Sequence, residues 1–180
     1  MRSIRWSAVS ESAADAPRPY KIPESVLVVI HTPALEVLLI ERADKPGFWQ
    51  SVTGSLEQVD EPLEATCARE VAEETGIDIA AVVRAGGALT DWQLVNVYEI
   101  YTTWARRYAP DVTHNTEHVF GLMLPQPVAV TLNPREHLAW RWLPWREAAD
   151  ACFSPSNAEA ILQLPRRLPP AATAKTTKPA

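Results

Sequence analysis

Two cysteines, Cys67 and Cys152, are too few for a disulfide framework, and neither has a partner at CxxC or Cys/His metal-binding spacing. Both read as core or near-core thiols, which suits a reducing, cytoplasmic setting. No stretch approaches the roughly 18 apolar residues of a membrane span, and the opening MRSIRWSAVSESAADAPRP lacks the apolar segment of a secretory leader. Basic runs are missing too. None extends beyond the pairs Arg106-Arg107 and Arg166-Arg167, so with a net charge of −5 and a pI near 5.4 no nucleic-acid groove and no membrane surface is expected. A polyanionic ligand would then need a local positive element, and a bound cation would serve. Glycine is scarce, six residues against sixteen prolines, and many of the prolines sit near the two ends. There is no internal repeat.

What is present is ordinary for one soluble domain: 47% hydrophobic and 22% charged residues in a chain of 180, long enough to bury about 70% of its unfolded surface. Residues 1–19 and 165–180, rich in Ala, Pro, Ser and Thr, are expected to be flexible arms around a single domain at 20–164. SVLVVIHT (25–32) and EVLLIER (36–42) predict a hairpin of two buried strands. FWQSVTGS predicts a shorter strand entering a loop, and a helix is expected from about Pro62 to Thr75, with Gly76 as its C-cap. Further strands are predicted at 94–104, 118–125, 128–132 and 137–145, and short helices in REAADACF and NAEAILQL. Strands outnumber helices, which points to a mixed sheet with helices packed on it.

The helix contains REVAEETG, Arg69 to Gly76, and so crowds Glu70, Glu73 and Glu74 onto adjacent turns. Like charges at i,i+4 cost a helix roughly 0.2–0.5 kcal/mol per pair. The helical wheel predicts a small apolar arc of Ala65, Ala68, Val71 and Ala72, with the three glutamates sharing a face beside it. A solvated acidic surface would tolerate this arrangement by salt screening. A hard divalent cation such as Mg²⁺, which takes carboxylate oxygens together with substrate phosphates, resolves the conflict directly.

The longer stretch GSLEQVDEPLEATCAREVAEETGI, Gly54 to Ile77, resembles the signature of the Nudix hydrolases: Gly, five residues, Glu, seven residues, Arg-Glu-aliphatic-x-Glu-Glu-x-Gly-aliphatic. Gly54, Glu61, Arg69, Glu70, Val71, Glu73, Glu74, Gly76 and Ile77 match. One departure stands: six residues separate Gly54 from Glu61, so either the loop carries an insertion or Asp60 takes the position counted from Gly54. The constant spacing from Glu61 to Arg69 favours the insertion. The resemblance implies an α/β/α sandwich with a mixed sheet and Mg²⁺-dependent hydrolysis, with Mn²⁺ as the alternative metal, of a nucleoside diphosphate linked to another moiety or of a close analogue. Glu70 and Glu74 are the expected metal ligands, Glu73 is a third ligand or the base, and Arg69 holds the carboxylates in position.

Outside that box, YKIPESVLVVI, ER with PGFWQSVTGS, RRYAPDVTHNTEHVF and EHLAWRWL resemble one branch of the family, the dihydroneopterin triphosphate pyrophosphohydrolases of bacterial folate synthesis. That branch resemblance implies cleavage to dihydroneopterin monophosphate and pyrophosphate. It makes Glu136 a metal ligand or base, and Lys21, Arg42, Thr53 and Ser154 substrate contacts. It also lines the pterin pocket with Tyr98, Glu99, Ile100 and Tyr101. Strand alternation would send Tyr98 and Tyr101 to opposite faces, so at most one is expected to stack on the ligand. Without the resemblance, Glu136 would read as a solvated loop acid, and Trp49, Trp140 and Trp142 as core. His31, His114, His118 and His137 show no metal-binding spacing and receive no catalytic role. The competing substrates are nucleoside triphosphates, dinucleoside polyphosphates and capped RNA. A nucleotide-binding module that does not turn its ligand over is the remaining alternative. The oligomeric state is not legible.

Overall fold

The computed structural model describes residues 20–168. A mixed seven-stranded sheet runs in the order β3-β2-β1-β6-β5, with β4 joined to β1 and β7 to β2. Its strands are β1 (Glu24–His31), β2 (Glu36–Arg42), β3 (Trp49–Gln50), β4 (Val52–Ser55), β5 (Ala88–Glu99), β6 (His114–Met123) and β7 (His137–Pro144). The helices are α1 (Leu63–Thr75), α2 (Ile79–Arg84), the single turn α3 (Thr102–Ala105), α4 (Trp145–Ala151) and α5 (Pro155–Arg167). No helix among the described residues is long and apolar enough to cross a membrane.

β1 is the central strand because nearly every residue in it is buried. Its alternation divides the core in two. Val26, Val28 and Ile30 pack with Cys67 and Val71 of α1, whereas Leu27 and Val29 pack with Ala160, Ile161 and Leu164 of α5. One edge of β1 pairs in parallel with β6 along its length. The other edge is shared, since Ser25–Val28 pair with β4 and only His31 pairs with β2, at Val37. The hairpin is therefore real, but its arms diverge and β4 enters between them.

α1 starts after Pro62 and stops at Gly76, which adopts the left-handed conformation (φ 71°) and returns its N–H to Ala72 O. Its buried stripe is Thr66, Cys67, Val71, Glu74 and Thr75, while Ala65, Ala68 and Ala72 face solvent. This corrects the wheel: the sheet receives the i, i+4, i+8 row that carries two glutamates, and the small alanines lie outside. Glu70 and Glu74 are thus on the packed face itself, and Glu73 is not.

Other expectations change as well. Residues 128–132 form no strand; Thr131 donates its N–H to Thr75 O, and Val130 and Leu132 cover the α1 side of the core as an apolar loop. β5 begins at Ala88, six residues before the expected start, because a bulge between Asp91 and Leu94, with Gln93 at φ 52°, interrupts its alternation. It ends at Glu99, and Thr102–Ala105 turn into α3. α2 was not foreseen, although Asp78 caps it by accepting from Ala80 N at 2.8 Å. Trp140 is 38% exposed, so it is not a core residue. The presumed tail loses its first residues to α5, which continues through Pro165 to Arg167. Residues 169–180 of that tail and the N-terminal arm lie outside the described residues.

Candidate active site

A cleft of about 1290 Å³ opens where the N-terminal half of β1, β4 and the middle of α1 meet. It is large enough for a ligand of nucleotide size. Gly54 sits opposite Val26, on the α1 side of the sheet, and the carboxylate of Glu70 occupies the space where a side chain at Gly54 would be. Only glycine admits the glutamate there.

Arg69 ties the constellation together. Its Nη1 donates to Glu70 Oε1 at 2.6 Å, its Nη2 to the Ser55 carbonyl at 3.0 Å, and its Nε to Glu61 Oε1 at 3.3 Å. Glu61 Oε2 in turn accepts the Glu57 N–H at 2.7 Å and closes the loop between β4 and α1. The six-residue spacer is therefore taken up in the loop, Asp60 is exposed, and Glu61 braces the arginine. Glu73 Oε2 stands 4.0 Å from Arg69 with its side chain more than half exposed.

Burial raises the carboxyl pKa of Glu70 to about 7, with Glu74 adding repulsion and Arg69 opposing both. Glu74 is 6% exposed, and burial likewise raises its pKa, against the pull of His137. Oxygen Oε2 of Glu74 has no hydrogen-bond partner among the described residues. Beside it, a turn fixed by the Ala43 N–H donating to the Glu136 carbonyl at 2.8 Å presents Glu136 at the start of β7. One ligand atom each from Glu74, Glu136 and His137 lies within 4.8 Å of the others. A buried carboxylate oxygen without a donor, Glu74 Oε2, next to a cleft and close to the exposed Glu136, fits a hard divalent cation. The structure brings Glu136 and Glu74 of the expected ligand set together with His137, and Glu70 lines the same cleft.

His137, to which the residue pattern assigns no role, is 3% exposed and places Nε2 at 3.2 Å from Glu74 Oε1. The approach is close, but its angle does not make a hydrogen bond. The only sequence signal for it is its position next to Glu136.

The proposed substrate contacts Lys21, Arg42, Thr53 and Ser154 all line the cleft, joined by Arg107. Arg42 is fixed in place: it grips Asp44 through two 2.8 Å bonds and lies 5.1 Å from the Trp104 ring. Thr53 Oγ1 accepts from Gln50 at 3.2 Å, and Ser154 Oγ lies 2.8 Å from Ser156 Oγ. Tyr98, Ile100 and Tyr101 also line the cleft, but Glu99 points away from it and is exposed. Strand alternation does not separate the two tyrosines, because β5 ends between them. Asn96 also lines the cleft, as do Asn115 and Glu117 of the RRYAPDVTHNTEHVF block, to which the sequence reading assigns no individual role.

The NUDIX domain family matches residues 21–164. The chain is 43% identical to the dihydroneopterin triphosphate diphosphatase of Escherichia coli over 145 residues, covering 80% of this chain and 93% of that one. It is 39% identical to the Haemophilus influenzae enzyme of the same name, over 79% and 87% of the two chains. The solved structure of the E. coli dihydroneopterin triphosphate pyrophosphohydrolase superposes with a TM-score of 0.73 at 42% identity, covering 83% of this chain and 99% of that one.

Proposed function

The chain belongs to the NUDIX hydrolase family, and from that premise we propose that it hydrolyses dihydroneopterin triphosphate to dihydroneopterin monophosphate and pyrophosphate, with Mg²⁺ as the cofactor. The single observation that carries this reading is the 43% identity to the E. coli diphosphatase across 93% of that enzyme's length. Such coverage takes in the substrate pocket as well as the box.

Glu70, Glu74 and Glu136 would hold the cation, which when bound would supply neutralisation of phosphate oxygens and a lowered pKa for an attacking water. The side chains of this protein supply the remainder. Arg69 fixes the Glu70 carboxylate, and Glu61 fixes Arg69, so the ligand oxygens are set before substrate arrives. Glu73 stays solvent-facing beside them and is free to take the proton of the water. Lys21, Arg42 and Arg107 set positive charge against the phosphate chain in a protein whose net charge is negative. Phosphoryl transfer depends chiefly on such placement and charge stabilisation, so no covalent nucleophile is needed. The setting is the cytoplasm, consistent with two unpaired cysteines.

The test is pyrophosphate release from dihydroneopterin triphosphate with Mg²⁺, beside a panel of nucleoside triphosphates, dinucleoside polyphosphates and capped RNA at equal concentration. A higher kcat/KM for the pterin than for every nucleotide is expected. Release no faster than from ordinary nucleoside triphosphates removes the pterin reading, and ligand binding with no turnover of any phosphoanhydride makes the protein a binding module.

A further inference from the structure

The segment Asn115-Thr116-Glu117 contributes nothing to phosphoryl transfer, yet it brings a second buried carboxylate into the cleft. Glu117 is 4% exposed and stands on β6 between its register partners, Ser25 of β1 and Asn96 of β5. Directly paired residues share a face of the sheet, as do residues two apart along a strand. Asn115, paired with Tyr98, therefore joins the same polar floor. That floor lies on the α5 side of the sheet, with Leu27 and Val119, away from the α1 face.

The floor is held rigidly by the protein's own bonds. Asn96 Nδ2 and Ser156 Oγ donate to Glu117 at 3.2 and 3.1 Å, and both arrive at Oε1. The Tyr98 hydroxyl adds a smaller stabilisation of the carboxylate. Asn115 gives its amide hydrogens to Ser25 Oγ at 2.7 Å and Tyr98 Oη at 3.1 Å, and its buried Oδ1 has no partner among the described residues. Burial opposes the charge on Glu117, and only hydrogen bonds offset it, with no lysine or arginine contributing. A buried acid with no cation beside it costs the fold stability. Its place in the cleft gives it a recognition role.

We propose that Glu117 is the specificity-determining residue of the cleft, its carboxylate accepting the adjacent N–H donors of a 2-amino-4-oxopyrimidine edge. A pterin and a guanine share that edge: a ring N–H and an exocyclic amino group side by side. A carboxylate has only acceptors, and with Oε1 engaged by Asn96 and Ser156, Oε2 is left to receive the two neighbouring N–H groups. Adenine presents a ring acceptor there and is repelled. Hypoxanthine keeps the ring N–H but lacks the amino group. The inference rests on the pterin reading for its natural substrate, but its test does not.

The experiment compares kcat/KM of the wild type and Glu117→Gln on dihydroneopterin triphosphate, GTP, ITP and ATP, all with Mg²⁺. The wild type is expected to prefer GTP to ITP by on the order of 10–100-fold, the range for a hydrogen bond to a charged group. Glu117→Gln should lose that factor on the pterin and on GTP while ITP turnover holds, bringing the GTP/ITP ratio near one. Equal losses on GTP and ITP, a preserved ratio, or no wild-type discrimination would each overturn the proposal. If the glutamine variant does not fold, Glu117→Asp, which withdraws the acid by one methylene, must lower the same ratio. Weak pterin turnover by a wild type that still discriminates GTP from ITP would remove the pterin reading and leave the role of Glu117 standing.

Discussion

Replacing Gly54 by alanine adds one carbon where the Glu70 carboxylate already sits. The backbone has no reason to object: Gly54 lies in β4, paired with Val26, and is not among the glycines at positive φ. Any loss therefore comes from the side-chain conflict alone. Overpacking of this kind costs about 1–3 kcal/mol in stability. Glu70 can yield only by abandoning its 2.6 Å bond to Arg69 and swinging its oxygens out of the ligand cluster. A misplacement of about 1 Å in a catalytic group lowers turnover roughly 10²-fold. Urea unfolding in EDTA reads the first effect, and pyrophosphate release across a Mg²⁺ titration reads the second. Pairing Gly54→Ala with Glu70→Asp should recover much of the stability, because the shorter acid vacates the space, but not the activity. A Gly54→Ala enzyme with wild-type stability, metal dependence and rate would refute the account of why the box begins with glycine.

Glu74→Gln should reduce turnover by several orders of magnitude while the metal-free protein melts no lower than wild type, since the amide removes a buried charge whose desolvation outweighs the pull of His137; a large drop in the chelated melting temperature would contradict this. The Glu70 carboxyl is raised from 4.5 to about 7 by burial, so the folded state holds its proton more tightly than the unfolded chain does. Its contribution to metal-free stability should accordingly fall as pH rises from about 4.5 to about 7, visible as the difference between wild type and Glu70→Gln in EDTA, and saturating Mg²⁺ should reverse the trend. A contribution that grew with pH across that window would sink the assignment. Arg69→Lys keeps the charge but loses the fork that reaches Glu61, Glu70 and the Ser55 carbonyl together, and should weaken Mg²⁺ affinity by about 10–100-fold in calorimetry. Cys67 is fully buried and its thiol pKa is pushed well above the ordinary range, so a disulfide reagent should modify it only at the rate of unfolding.

The elements with one unbroken period were legible in the sequence. β1, β2, α1 and its glycine stop, β7 and the two C-terminal helices all fall where the apolar pattern puts them. The failures share a cause, which is that tertiary packing assigned a residue a job its local pattern did not announce. The alanines of α1 looked like a core stripe, yet the sheet took the row of Thr66, Glu70 and Glu74, with Cys67 and Val71 beside it supplying the apolar contact. The bulge at Asp91–Leu94 disguised the first half of β5, and residues 128–132 spent their β-branched side chains on covering α1 without pairing. In the site, the acids of the box could be read from spacing within one helix. Asn115 and Glu117 stood out only as part of a resembling block, and their grouping with Asn96 could not be read, because strand pairing brings them together from positions up to 21 residues apart.

Because consecutive residues of β1 serve opposite walls, Val26 toward α1 and Leu27 toward the polar floor, the proposed cutting and reading surfaces are mounted on separate supports that share one rail. Exchanging the inward side chains of β5 and β6 for those of a relative with different appetites should redirect which head group is accepted, with the scissile bond and its ion left where they are. A scaffold partitioned in this way can acquire new substrates without relearning how to break an anhydride.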